Sequence, residues 1–568
     1  MERLEAKRIN GHTYYYYSKW QYVDGRCRRV WQKYLGKLQD IVRAVDGNRR
    51  APQYAEVFRW GLPQALWREC CRAEVVEHID GRLPKRSQGL STGEYLAIAA
   101  INRAMEPKSK RSMWDWFAGT VLLRHLPKAS KPSLSSQRFW DHMDRIPAAM
   151  AAEIWSDLLR GVVERERLDL SSICYDGTNF YTFIDTFNVR CTIAKRGKNK
   201  QGRSNLRQVS YALFCCADGH LPLFYDVYEG NRNDAKQFPL VLCRFHRFFR
   251  QLSGNGGATP DTTLIFDKGN NSEENFHLVD ELKLSYVGSV KLGEHEELAE
   301  IPNSDGRFQQ TPDHPDGTKS FRLRKRVYGK ERTLVVTYNQ NLFHKQWLTL
   351  QNDIAKAVGE LGELARRLDD RRSGLIRGGR VPTVASLQRQ CKPILRRQYL
   401  QDVIALSIEA DTDELPRLHY RIDADTVHKL SETYLGKTIL ITDREQWDDA
   451  RIIRAYRSQF LIEDVFKQSK DRNIGTWWPQ HHWTDSKIHV HGLYCTIAVL
   501  LRGLAWRRAQ QAGMPLSMQR FLGELDDIRE VINVYPRRRG QKNHQQQLVR
   551  TKTSELQDQL ISAIGIEE

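Results

Sequence analysis

Residues 208–230 read QVSYALFCCADGHLPLFYDVYEG, and this stretch decides the fold. Two apolar runs rich in aromatic residues flank Asp-Gly-His, a tight-hairpin signal. A third run of the same kind, SSICYDGTNFYTF, precedes them at 171–183. Beyond them come a helical segment around 234–252, the strand-like TTLIFDKG, the helical EENFHLVDEL and the strand-like LSYVGSVK, ending at residue 291. The order is β-β-β-α-β-α-β. A three-stranded meander followed by right-handed crossovers gives an α/β fold, a mixed sheet covered by helices.

The flanking segments have a different character. Residues 12–36 read as a β-hairpin around Asp24-Gly25, with Arg26, Arg28, Arg29 and Lys33 making the returning strand basic. That module is either a solvated sheet or a DNA contact. Residues 55–165 read as helical, and Ser91-x-x-Glu94 before an apolar run is a capping-box pattern. A basic turn, KSKRS, joins two of these helices, in an ordinary bundle or a DNA-binding helix pair. Residues 292–445 interrupt the α/β region with a hairpin, a charged helix around 344–372 and a Gly/Arg linker. The domain division expected is 1–50 hairpin module, 51–165 helical and DNA-binding, 166–291 first core segment, 292–445 insertion, 446–512 second core segment and 513–568 helical tail.

Lys and Arg number 88 against 69 Asp and Glu, a net charge of +19. Clustered cations on that scale point to nucleic acid, whose phosphates reward them. The richest apolar stretch, LYCTIAVLLRGLAW, is broken by Arg502, so no membrane partner is expected. The start, MERLEAKRINGH, is too polar for a signal peptide. Ten cysteines without C-x-x-C spacing, two adjacent pairs of them in apolar surroundings, fit reduced thiols in the cytoplasm.

Three acids stand out. Asp176 interrupts the apolar strand ICYDGTNF, and Asp267 ends LIFDKG. The strands that carry them are neighbours in this topology, and two close carboxylates repel unless a hard cation such as Mg²⁺ or Mn²⁺ lies between them. A pair of such ions about 4 Å apart clamps the attacking and leaving oxygens of phosphoryl transfer. A third acid is needed. Residues 456–471, YRSQFLIEDVFKQSKD, read as one helix carrying Glu463 and Asp464. Tyr456, Gln459, Glu463, Lys467 and Lys470 share one face of it, and Asp464 is turned away by about 100°. Glu463 is therefore the expected ligand.

These blocks resemble the three acidic blocks of bacterial insertion-sequence DDE transposases, in the IS4-like superfamily and within it the IS1634-type group. The third block of that family runs Y-x₂-R-x₃-E-x₆-K. Tyr456, Glu463 and Lys470 match it, and Gln459 stands where Arg is expected. The resemblance implies an RNase H-like core with an insertion before the Glu-bearing helix, and Asp176, Asp267 and Glu463 as both catalytic residues and ligands for two Mg²⁺ or Mn²⁺ ions. It implies nicking of double-stranded DNA at transposon terminal repeats, strand transfer into target DNA, and a homodimer in the synaptic complex.

Candidate DNA contacts are Tyr456, Gln459, Lys467, Lys470 and Lys268, with Arg196, Lys198, Lys200 and Arg203 in the loop AKRGKNKQGRSNLR. His491 is a near-site candidate. Asp185, Asp226, Glu229 and Asp234 read as structural. Zinc at His481, His482, His489 and His491 lacks a fitting ligand spacing. Trp477 and Trp478 read as core residues, with base stacking as the rival reading. Rival functions are a nuclease that cuts without joining, a non-catalytic DNA-binding derivative and an RNA-binding protein, the last without any RNA-module signature.

Overall fold

The computed structural model describes residues 1–568 except 24, 48–50, 85–87, 199–201, 204, 217, 219, 253–260, 315, 410–414, 472, 478–479, 538–542 and 567–568. Asp24, Lys200 and Trp478 thus lie outside the described residues. The chain divides into two compact units: Met1–Arg68 with Ser112–Lys131 and Arg508–Glu568, and Glu69–Arg111 with Pro132–Arg507.

The larger unit is built on a ten-stranded mixed sheet. Its strands are β1 Ser172–Tyr181, β2 Lys195–Arg196, β3 Arg207–Cys216, β4 Pro222–Glu229, β5 Thr263–Phe266, β6 Ser285–Val290, β7 Gln309–Gln310, β8 Lys319–Val327, β9 Lys330–Tyr338 and β10 Lys437–Thr442. They lie in the order β7-β8-β9-β10-β6-β5-β1-β3-β2, with β4 also paired to β3. The meander β1-β3-β4 is antiparallel, and β1-β5-β6 is parallel. Helices α1 Asp234–Leu252 and α2 Glu273–Glu281 form the crossovers. Strands β3 and β5 are buried on both faces, so they read as continuous apolar runs and not as alternations.

The stretch expected as an insertion, 292–445, is only partly one. Its strands β7–β10 extend the same sheet, because β10 is apolar on both faces and closes against β6 on one side and β9 on the other. The separate portion lies between β9 and β10. There α3, Gln340–Arg372, starts at an Asn339 cap, whose side chain accepts from the Leu342 amide at 2.9 Å. It packs Leu350, Leu361 and Leu368 with Leu387, Leu400, Val403 and Leu430 into a core of its own.

The segment expected as one helix over 456–471 is two, α4 Asp449–Arg457 and α5 Phe460–Lys470. Between them the Ser458 hydroxyl donates to the Ala455 carbonyl at 2.6 Å, a side-chain bond to the preceding turn that bends helices. Helix α6, Asp485–Gln511, is long and apolar enough to cross a membrane by length and composition, and 89% of its apolar window is buried inside the fold. Gly492 lets it approach the sheet, since a Cβ there would stand 2.9 Å from Val227.

The smaller unit contains two three-stranded sheets. In the first, Glu2–Ile9 adds a strand to the expected hairpin of His12–Val23 and Arg26–Gly36. Its polar sequence has no buried face to leave an apolar alternation. In the second, Arg529–Val534 pairs with Tyr54–Arg59 and Gln546–Arg550. Residues 51–165 and 513–568 are therefore not purely helical. Those strands find their partners far along the chain, beyond any local signal. Cys71, expected to be buried, is exposed.

Candidate active site

Three strands of the parallel stretch set the site. Tyr175 of β1 pairs with Phe266 of β5, and Phe266 pairs with Gly288 of β6. The residue after each is Asp176, Asp267 and Ser289, so these three stand in a row across the sheet. Phe266 is the last residue of β5, and Asp267 opens the short turn Lys268–Asn270.

Helix α5 packs over this row. Its buried residues are Ile462, Val465, Phe466 and Ser469, the i, i+3, i+4, i+7 spacing of one helical face. That leaves Glu463 and Lys467 exposed on the open side. Asp464 is turned away, accepts from the Gln468 amide at 2.7 Å and faces His220. A cavity of about 310 Å³ is lined by Asp176, Gly177, Thr178, Asp267, Gln459, Ile462, Glu463, Phe466, Lys467 and Lys470. A larger apolar groove, about 730 Å³, runs between α3 and residues 422–431, but no carboxylate lines it.

Hydrogen bonds fix the cavity wall. The Tyr456 hydroxyl donates to Ser289 Oγ at 2.9 Å, and Ser289 Oγ donates to Asp267 Oδ1 at 3.4 Å. Burial pushes the Tyr456 phenol up to about 12, and the carboxylates of Asp267 and Glu463 add to the rise. Asp176 Oδ1 accepts from the Gly177 amide at 2.7 Å. Lys470 donates to Thr178 Oγ1, with its ammonium 5.7 Å from the Phe180 ring centre. Among the described residues, no three His, Cys, Asp or Glu side chains are gathered into a group that could hold a metal ion as they stand. The acids share one open cavity instead. Their donors are all hard carboxylate oxygens, the set that suits Mg²⁺ or Mn²⁺.

Of the expected DNA contacts, Gln459, Lys467 and Lys470 line the cavity. Tyr456 points its hydroxyl at Ser289, inward. Lys268, Arg196, Lys198 and Arg203 are exposed and do not belong to the cavity wall. Arg196 donates to Thr186 at 3.0 Å, and the Arg203 guanidinium lies 6.0 Å from the Tyr181 ring centre. Arg457, the arginine nearest the departed position, is held away by Asp316 at 2.9 Å and Thr318 at 2.6 Å.

His491 is fully buried and bonds to the Tyr494 hydroxyl at 2.5 Å and the Trp477 carbonyl at 3.0 Å, so it does not reach the cavity. Trp477 is 1% exposed and stacks on Phe180 at 4.5 Å, as a core residue. Asp226 is paired with Arg244 at 2.6 Å, Glu229 with Arg232, and Asp185 accepts from the Phe187 amide at 2.8 Å.

Thr178 and Ser289 escaped the sequence reading. Thr178 was reachable, since it follows Asp176 by two and shares its strand face. Ser289 becomes visible only through the register of β5 and β6.

The sequence matches the family described as transposase DDE domain over residues 169–501. No curated protein matches. Among solved structures, the piggyBac transposase synaptic complex with hairpin DNA is 10% identical, covering 81% of this chain and 79% of that one at a TM-score of 0.37. The Mos1 transposase paired-end complex with left transposon end is 9% identical, covering 36% and 61% at a TM-score of 0.15. Likenesses this slight decide nothing about the fold.

Proposed function

The chain belongs to the transposase DDE domain family, and from that premise we propose that it cleaves DNA at transposon ends and joins them to target DNA. The observation that carries this reading is the shared cavity of Asp176, Asp267 and Glu463, roofed by lysines. We place the chain among bacterial insertion-sequence enzymes of the IS4-like superfamily, IS1634-type group, on the spacing of Tyr456, Glu463 and Lys470. The core is RNase H-like in this reading, formed by 166–291 together with the α5 region. The expected domain boundaries are proposed with one change: within 292–445 the insertion is the portion between β9 and β10.

Asp176, Asp267 and Glu463 would hold two Mg²⁺ or Mn²⁺ ions. When bound, such ions supply charge neutralisation at the attacking and leaving oxygens of an in-line displacement. The protein's own share is positioning. Ser289 holds one oxygen of Asp267, and Tyr456 holds Ser289. Lys470, set by Thr178, and Lys467 present positive charge to a phosphate backbone. Gln459 offers a neutral amide where a guanidinium would grip a phosphate in two places, so its hold is weaker. Duplex DNA is the substrate, and two ends brought together require a homodimer.

The test uses labelled element ends with Mg²⁺. Glu463→Gln is expected to lower nicking by about 1,000-fold or more, on the order of 4 kcal/mol, while Asp464→Asn keeps wild-type rates. Equal rates for Glu463→Gln and wild type would sink the assignment. Joining of a pre-cleaved end separates a transferase from a nuclease.

A further inference from the structure

The two faces of the N-terminal sheet differ in a way that local sequence does not reveal. Directly opposed residues on neighbouring strands share a face. The register pairs Glu5 with Tyr16, Ser18 with Gln32 and Trp20 with Arg29 on one side. The centre of that side is bonded within the sheet, with Arg3, Lys7 and Arg29 exposed around it. Glu5 accepts from Trp20 Nε1 at 2.6 Å and Gln32 Nε2 at 3.2 Å, and Arg29 lies 3.9 Å away. Ser18 in its centre is fully buried.

On the other side the register pairs Arg8 with Thr13, Tyr17 with Lys33, Lys19 with Trp31, Gln21 with Arg28 and Val23 with Arg26. Five cations therefore stand on one face of three strands. All five are exposed. Among the described residues, no hydrogen bond or ion pair engages their side chains. Glu2, also on this face, accepts from the Tyr17 hydroxyl. Trp31, 48% exposed, and Tyr17, 37% exposed, meet edge to face at 6.0 Å between them.

We propose that this face, carrying Arg8, Lys19, Arg26, Arg28 and Lys33 around Tyr17 and Trp31, binds the phosphate backbone of duplex DNA. Five exposed cations, with no hydrogen bond or ion pair among the described residues, suit a polyanion, and counterion release rewards that contact. A second copy of the face is excluded as occupant, because it would set five cations against five. The two rings supply flat surfaces for sugar or base edges between the charges. Duplex DNA is preferred over RNA because it is the substrate of the proposed function, on which this inference rests.

The experiment measures binding of a fluorescent duplex by the full chain, in EDTA, over a series of salt concentrations. The triple variant Lys19→Ala, Arg28→Ala, Lys33→Ala is expected to bind about tenfold or more weakly. Its salt slope is expected to fall by about 2.7, at about 0.9 for each phosphate left without its cation. Arg3→Ala with Lys7→Ala, on the opposite face, is expected to bind as wild type. An unchanged slope in the triple variant, or an equal loss in the control, overturns the proposal. Tighter binding of duplex RNA through the same three residues overturns the choice of DNA. Circular dichroism checks folding, and glutamine replacements at the same positions give the same reading should alanine disturb the strands. Because EDTA removes catalysis, binding and cleavage fail separately. A reduced slope with wild-type nicking by Glu463→Gln sinks the active-site assignment alone. An unchanged slope with dead Glu463→Gln sinks this one alone.

Discussion

Replacing Ser289 with Ala removes the group between Tyr456 and Asp267. Ser289 is 2% exposed, so no water replaces it cheaply. Two bonds disappear: the 3.4 Å donation to Asp267 Oδ1 and the 2.9 Å acceptance from Tyr456. A hydrogen bond to a charged acceptor contributes about 1.5–3 kcal/mol, and the long distance puts this one near 1.5. That corresponds to about tenfold weaker metal binding, the low end for a residue that orients a ligand. The stranded Tyr456 hydroxyl costs about 1–3 kcal/mol of stability in addition. Tyr456→Phe alone leaves the Ser289–Asp267 bond in place and should shift metal affinity only about two- to threefold. The double variant should bind metal like Ser289→Ala, yet be more stable than it, because no hydroxyl is left stranded. Mn²⁺ titration by electron paramagnetic resonance reads the affinity, and urea unfolding reads the stability. Unchanged affinity in Ser289→Ala, or further destabilisation on adding Tyr456→Phe, would refute the relay.

Two further outcomes follow from the core. Trp477→Ala should cost about 3–5 kcal/mol in urea unfolding, because the ring is buried between Phe180 and Tyr211; a loss of DNA affinity with no loss of stability would restore the base-stacking reading. Acid should destabilise the protein as pH falls below about 6.5, the unfolded histidine value. Burial, and then the charges of Lys110 and Arg103, hold His482 and His491 well below that value. Above it both states are neutral and the stability is fully present. Below it the unfolded chain takes up protons that the folded one refuses, costing about 1.4 kcal/mol per pH unit for each imidazole. Urea midpoints at pH 7.5 and 5.5 check this, and His491→Phe should lessen the slope.

The sequence was legible where a signal is local. Asp-Gly-His between two apolar runs marked the meander, and the face shared by Gln459, Glu463, Lys467 and Lys470, with Asp464 turned away, marked the open side of α5. Both depend on neighbours within a few residues. What stayed hidden depends on distant pairing. Arg529–Val534 becomes a strand only beside Tyr54–Arg59, and Ser289 meets Asp267 only through the parallel register of β5 and β6. Tyr456 falls outside the face expected for it for a different reason. That face assumes one straight helix, and the Ser458 hydroxyl bends the chain there. Tyr456 is still near the acids, but through Ser289 and from a separate helix. That β8, β9 and β10 join the main sheet was not legible either, because β10 meets β6 only through long-range pairing.

The most direct measurement is anomalous diffraction from crystals soaked in Mn²⁺ with an element-end duplex. Two peaks about 4 Å apart are predicted, bounded by the carboxylates of Asp176, Asp267 and Glu463 and absent from Asp267→Asn crystals. Peaks elsewhere, or Mn²⁺ held with Asp267 or Glu463 outside its coordination, would contradict this assignment.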